Sequence, residues 1–299
     1  MKFSFRTCLL LLLPLWFIFA NSAYAGNTPA SVPGKTGNPR CLTSSNANPV
    51  AKTAVTKSDE KNCIRDGLTP QTAGESAYQI KRDFPKSKSG LYWIQNENIN
   101  EGSPIRIYAD MSTDGGGWTL IVGNSVNMWT RDEALLKNES NPPITPTDLS
   151  AQSGKYSILS YADYIKRSAT GFQYRMDARE LGKCGGIWTA NVNYSFVSGS
   201  TSNTDISLNK RWGYGNTTWL YNEHGIEERM PYLVAPGNYA LLTTSIDPNN
   251  SWWGTLIQSL NWEYSVTPWI SYLGWGDQSY LSPANEPCAR PSIIWYWVR

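Results

Sequence analysis

The sequence predicts an α+β fold: a twisted, mainly antiparallel sheet with short helices and long loops. Three observations carry that expectation. Helical spacing appears only in brief runs, near residues 76–84 and 158–167. Strand-like runs are short and separated by Gly, Asn, Ser and Pro. The chain is rich in aromatic residues (13%) and poor in charged ones (17%), which excludes a coiled coil and a disordered chain.

The first element is not part of the fold. Lys2 and Arg6 precede an apolar run from Cys8 to Ala20, and Ala23 and Ala25 form an Ala-x-Ala cleavage pattern. Residues 1–25 therefore read as a signal peptide. The run is too short to span a bilayer, and no later stretch is long and apolar enough, so no membrane insertion of the mature chain is expected. The destination is extracellular, or periplasmic in a bacterial host. Residues 26–75 are polar and rich in Asn, Ser, Thr, Pro, Gly and Lys, and read as a linker or stalk. They show neither heptads nor a Gly-x-y repeat, so they contain no recognisable oligomerisation device.

The folded domain is expected from Ser76 to Arg299. Ser76 can cap a helix whose Ala77, Ile80 and Phe84 share one face, and Pro85 ends it. Gly90–Ile94 and Ile105–Ala109 read as strands, the second with period-two alternation. Asp114-Gly-Gly-Gly is a turn, followed by a buried strand from Trp118 to Val122. The three glycines are not a phosphate cradle, because a strand and not a helix follows them. Residues 137–155 read as loop, and 158–167 as a short helix with Ile158, Tyr161, Ala162 and Ile165 on one face. From Gly186 onward the pattern is short aromatic strands, and Ser292–Arg299 is a strong final strand.

Composition narrows the partners. Without Lys2 and Arg6 the chain holds 24 basic and 24 acidic residues, so no nucleic-acid footprint exists. One histidine, His224, excludes a zinc site built on two or three imidazoles. Four cysteines remain in the mature chain, Cys41, Cys63, Cys184 and Cys288; they allow three pairings. Cys41–Cys63 with Cys184–Cys288 is favoured, since the first pair is local and the second lies within the C-terminal part.

Residues 76–122 resemble the opening of the fibrinogen-like C-terminal domain, the family of fibrinogen ends, ficolins, tachylectins and intelectins. The residues that carry the resemblance are Ser89, Gly90, Tyr92, Ile94, Asp110, Met111, Gly115, Gly116, Gly117, Trp118 and Thr119. The family normally places a bridging cysteine in the first helix and another before Asp-Met. Here those places hold Ala77 and Ala109, which implies that an apolar pair replaces the bridge. The family's calcium loop, a run of Asp and Asn before Cys and Trp-Trp-Tyr, is not matched. Asp277, Asn285 and Glu286 stand spread out before Cys288. Asp277 and Glu286 are the candidate calcium ligands there. Glu223 and His224 are the alternative, because intelectin-like proteins use Glu and His at their calcium and sugar site.

The resemblance implies a secreted lectin-like recognition protein, not an enzyme, that binds glycans or acetylated surface groups. Ten of the fourteen tryptophans lie between Trp188 and Trp297. A single Trp is more often core than binding surface. Aromatic faces beside amides and carboxylates nevertheless suit sugars, which have apolar C–H faces and polar rims. The candidate ligand-binding residues are Trp253, Trp275, Asp277, Tyr280, Asn285 and Glu286, in stretches rich in Gly, Asn, Ser and Pro. Two further classes stay open: an adhesive or structural protein with a protein partner, and a secreted glycan hydrolase. The hydrolase would need two carboxylates roughly 5–9.5 Å apart, which no local motif supplies.

Overall fold

The computed structural model describes residues 64–125, 129–135, 141–178, 180–197, 205–212, 232–233, 240–243, 256–257 and 293–299. All of these belong to one compact unit, Gly37–Arg299.

Helix α1 (Ala77–Asp83) forms where the sequence places it. The Ser76 hydroxyl accepts the Gln79 backbone N–H at 3.1 Å, and the Phe84 N–H closes the last turn on the Ile80 carbonyl. Ala77 and Ile80 are fully buried. Strands β1 (Gly90–Ile94), β2 (Ile105–Asp110) and β3 (Trp118–Asn124) follow as read. Ala109 on β2 is also fully buried, and α1 packs against β3, the neighbour of β2.

Between β3 and the next long strand come helix α2 (Arg131–Ala134), strand β4 (Lys155–Ser157) and helix α3 (Ala162–Ile165). The helix expected over 158–167 is a 3-10 turn, Leu159–Tyr161, leading into the four residues of α3. Lys166 leaves it with extended geometry, and the Lys166 ammonium bonds the Tyr194 carbonyl at 2.5 Å instead of facing water. The stretch 137–155, read as loop, contains a 3-10 turn at Ser150–Gln152 and the first residue of β4.

Strands β5 (Phe172–Ala178) and β6 (Glu180–Ala190) make the longest hairpin, and β7 (Ile206–Trp212) adds to it. β5 is not among the strands expected from the sequence, although Phe172, Tyr174, Met176 and Ala178 alternate there with Gln173, Arg175 and Asp177. β6 begins at Glu180 rather than Gly186, since Gly182, Gly185 and Gly186 obscure its start. Short strands β8 (Tyr232–Leu233), β9 (Ala240–Thr243) and β10 (Leu256–Ile257) form a separate antiparallel sheet.

The final strand, β11 (Ile294–Val298), enters the middle of the large sheet. The order is β1-β2-β3-β11-β5-β6-β7, with β4 also on β3, and every pairing is antiparallel. All five β11 residues are buried. Trp118, Trp129, Trp188, Trp295 and Trp297 are all fully buried, and Trp188 stacks on Tyr174 at 5.3 Å. These five are core. An aromatic side chain buries roughly 150–250 Å², worth several kcal/mol at about 25 cal/mol per Å², so this set is a major source of stability.

The glycine turn is structural, as its following strand requires. Gly115, Gly116 and Gly117 have φ of +88°, +77° and +79°. A Cβ at Gly116 would sit 2.3 Å from the Met111 carbonyl oxygen, whereas one at Gly115 meets nothing nearer than Arg299 Nη1 at 3.8 Å. Gly116→Ala should therefore cost more than Gly115→Ala, on the order of 2–3 against 1 kcal/mol, in urea unfolding. Equal losses would show that backbone strain alone, and not the close approach, sets the requirement.

Candidate functional site

The most unusual group among the described residues is a charge cluster inside the large sheet. Gln173, Arg175 and Asp177 alternate onto one face of β5. Arg175 is completely buried, and its guanidinium lies over the Trp297 ring at 4.3 Å and near the Trp118 ring at 5.3 Å. Its Nη1 donates to Asp110 Oδ2 at 2.8 Å and its Nε to Asp177 Oδ2 at 2.7 Å. One arginine thus ties β5 to the end of β2, across β11 and β3.

Both carboxylates are held by backbone as well. Asp110 Oδ1 accepts the N–H groups of Ser112 and Thr113 at 2.9 and 3.0 Å, and the hydroxyls of Ser112 and Ser89 at 2.8 and 3.2 Å. The Ser89 hydroxyl oxygen in turn accepts the Met111 N–H at 2.9 Å. This is the physical content of the Ser89, Asp110 and Met111 positions that carry the resemblance. Burial alone would raise the Asp110 carboxyl, but Arg175 and the bonds from Thr113 and Ser112 outweigh it and hold it well below the usual range. Asp177 goes the other way. Full burial raises it, and neither Arg175 nor the Gly182 N–H, at 2.8 Å, offsets that.

A second, partly exposed cluster lies beside it. Arg299 packs over the other contact of Trp118 at 4.1 Å and donates to the carbonyls of Asp114 and Gly116 at 2.8 and 2.6 Å. Its Nε donates to Gln173 Oε1 at 2.8 Å, and Lys210 pairs with Asp114 at 3.3 Å. The last residue therefore clamps the glycine turn. Apart from the Arg175 Nη2, which has no hydrogen-bond partner among the described residues, these groups bind one another, and both clusters read as scaffold.

The residues expected to bind ligand, Trp253, Trp275, Asp277, Tyr280, Asn285 and Glu286, lie outside the described residues, as do Glu223 and His224. Cys41, Cys63 and Cys288 lie outside them too, while Cys184 falls within β6. The candidate binding stretch, from about Trp252 to Cys288, contains β10 near its start and is followed by β11 at Ile294, which pairs with Asn124 on one side and Ala178 on the other. Among the described residues, no group of three or more His, Cys, Asp or Glu side chains could hold a metal ion, and no helix is long and apolar enough to cross a membrane. Sequence reading missed the Arg175 cluster. Its signal was the alternation of Arg175 and Asp177 with Tyr174, Met176 and Ala178.

Comparison with known proteins follows the same line. No family model matches the chain. A 53-residue stretch is 42% identical to mouse angiopoietin-4 and covers 18% of this chain. The resemblance to the fibrinogen-like domain is borne out. The match spans only about a tenth (10%) of that curated relative's own length. Two solved structures are also similar, the fibrinogen-like globe domains of human ANGPTL2 and human ANGPTL6. Their identities are 14% and 13%, and their TM-scores 0.39 and 0.40. The alignments cover 75% and 76% of this chain and 98% and 96% of those chains.

The buried cluster makes two checkable statements. Arg175→Met leaves two carboxylates without their cation and should cost about 3–5 kcal/mol in denaturant unfolding. A loss below about 1 kcal/mol would mean that the cluster is solvated. Asp110 has a folded-state pKa below its ordinary 3.8, so its stabilisation is complete above about pH 4 and declines as pH falls further. Asp110→Asn should therefore be less stable than the parent at neutral pH, and the gap should narrow in acid. A gap independent of pH would contradict the ionised state assigned to Asp110.

Proposed function

We propose that this is a secreted recognition protein of lectin type, which binds glycans or acetylated surface groups through residues between about Trp252 and Cys288. One observation supports the reading above the others. The stretch is tethered at its C-terminal end to β11, the strand held between β3 and β5 in the middle of the large sheet. Long segments between strands of a rigid sheet are a common source of binding residues.

The fate of the tryptophans adds to this. Trp118, Trp129, Trp188, Trp295 and Trp297 are buried in the core. Trp253, Trp275 and Tyr280 stand instead among Gly, Asn and Ser, beside Asp277, Asn285 and Glu286. An aromatic face can stack on the apolar face of a sugar while the amide and carboxylates take its hydroxyls. Calcium enters the proposal as a co-ligand at Asp277 and Glu286, whose hard oxygens are of the kind it selects. The angiopoietin-4 match, together with the fibrinogen-like opening, supports a secreted binding role rather than turnover.

The test is a glycan array probed with the oxidised mature protein, with calcium and with chelator. Selected glycans should bind, and Trp275→Ala and Asp277→Asn should abolish the signal while leaving the unfolding midpoint in chelator unchanged. Calcium should also raise the unfolding midpoint of the parent, and Asp277→Asn should lose that rise. Silence on the array with folded protein would overturn the reading. Capture of one protein partner that sugars do not displace would then favour the adhesive alternative, and turnover of glycoside substrates the hydrolase.

A further inference from the structure

Strand β1 begins the large sheet, and its own sequence does nothing to protect its outer edge. It reads Gly-Leu-Tyr-Trp-Ile, without charge or proline, and its register on β2 has no bulge. Charges, prolines and bulges are the usual devices that keep an edge strand from pairing with another chain. Here the edge is filled from within the chain. The Trp93 N–H donates to the Gly67 carbonyl at 2.7 Å, the Gly74 N–H to the Trp93 carbonyl at 3.0 Å, and the Gln95 N–H to the Gly74 carbonyl at 2.7 Å. Gly74 and Ile94 form a parallel bridge. Residues 64–75, which lead into α1, are therefore seated on the edge of β1.

The same residues are built to hold that course. Arg65 Nη1 pairs with Glu75 Oε1 at 2.9 Å, and the Gly67 N–H donates to the Thr72 carbonyl at 2.8 Å. Asp66 Oδ1 accepts the Thr72 hydroxyl at 2.7 Å and the Leu68 N–H at 3.0 Å. Thr69 and Thr72 cap the 3-10 turn Pro70–Thr72 reciprocally. Two glycines set the segment down on the core. A Cβ at Gly67 would lie 2.5 Å from Ile80 Cδ1 and 3.0 Å from the Trp93 carbonyl oxygen, and one at Gly74 would lie 2.5 Å from Ile80 Cγ1. Ile80, on the inner face of α1, is fully buried against them.

We infer that residues 64–75 are a strap of the folded domain that blocks strand addition at β1: it occupies the backbone groups of Trp93 and Gln95, which would otherwise pair with β1 of a second copy. The contact is autoinhibitory, since an incoming strand must first displace it. The strap's internal bonds make it a preformed occupant, so seating it orders few further groups. Its two glycines let backbone, rather than side chains, reach the strand edge and Ile80 together. The second copy's β1 is the intruder assigned because it is the same apolar strand with the same lack of blunting. Leu91 and Trp93 share one face of β1 and are only half-buried, so they would gain apolar cross-strand neighbours in that pairing.

The test is hydrogen exchange and sedimentation velocity on the full-length secreted protein and two variants. In the parent, the Trp93 and Gln95 amides should be protected. Gly67→Val puts a branched side chain at a φ of +72°, against the Trp93 carbonyl. Asp66→Ala removes the acceptor of Thr72 and Leu68 and adds no atom beside Ile80. Both changes should speed exchange at Trp93 and Gln95 at least about tenfold while the β11 amides keep their protection. Both variants should also self-associate at least about tenfold more tightly than the parent. The strap is overturned by unprotected Trp93 and Gln95 amides in the parent, by variants that leave both as slow as before, or by exchange that rises only together with that of β11. An opened edge with unchanged self-association overturns its blocking role.

Discussion

Arg175 is a full positive charge with no access to water, and the large sheet is built around neutralising it. Its two carboxylate partners come from β2 and from its own strand, and Trp297 of β11 supplies the ring beneath it. An unpaired charge at that depth would be expensive, so the three strands concerned cannot slide independently. Asp110 is in turn fixed by Ser89, Ser112 and Thr113, which extends the same constraint to the entry of β1 and the start of the glycine turn.

The glycine turn and Arg299 meet beside Trp118. The Arg175 and Arg299 guanidiniums lie 5.3 and 4.1 Å from its ring centroid, and its indole N–H donates to the Thr113 carbonyl at 2.8 Å. Arg299 binds the carbonyls of the turn. Residues from the opening of the domain and from its end thus form one unit, with β11 as the strand that joins them. The candidate binding stretch leads straight into β11, so it is anchored to the most constrained part of the sheet.

Local signals determined a good deal. Ser76, the spacing of Ala77 and Ile80, and Pro85 mark α1 without help from the rest of the chain, because a cap and an apolar face act within a few residues. Alternation marks β2, and continuous apolar runs mark β3 and β11. The strand after Gly117 decided against a phosphate cradle. The α+β class, its mainly antiparallel sheet and the fibrinogen-like resemblance were all legible on these grounds. The candidate ligand residues were legible only as composition, since aromatics beside carboxylates imply chemistry but not convergence.

Tertiary structure decided the rest. That β11 lies between β3 and β5 is a pairing of residues far apart in sequence, and no local pattern encodes it. Arg175 and Asp177 looked like surface residues, because a charge reads as exposed until a partner from another strand is in place. Asp110 supplies that partner from 65 residues away. Which tryptophans belong to the core was likewise a question of neighbours: burial depends on what packs against a ring, and composition counts only the rings.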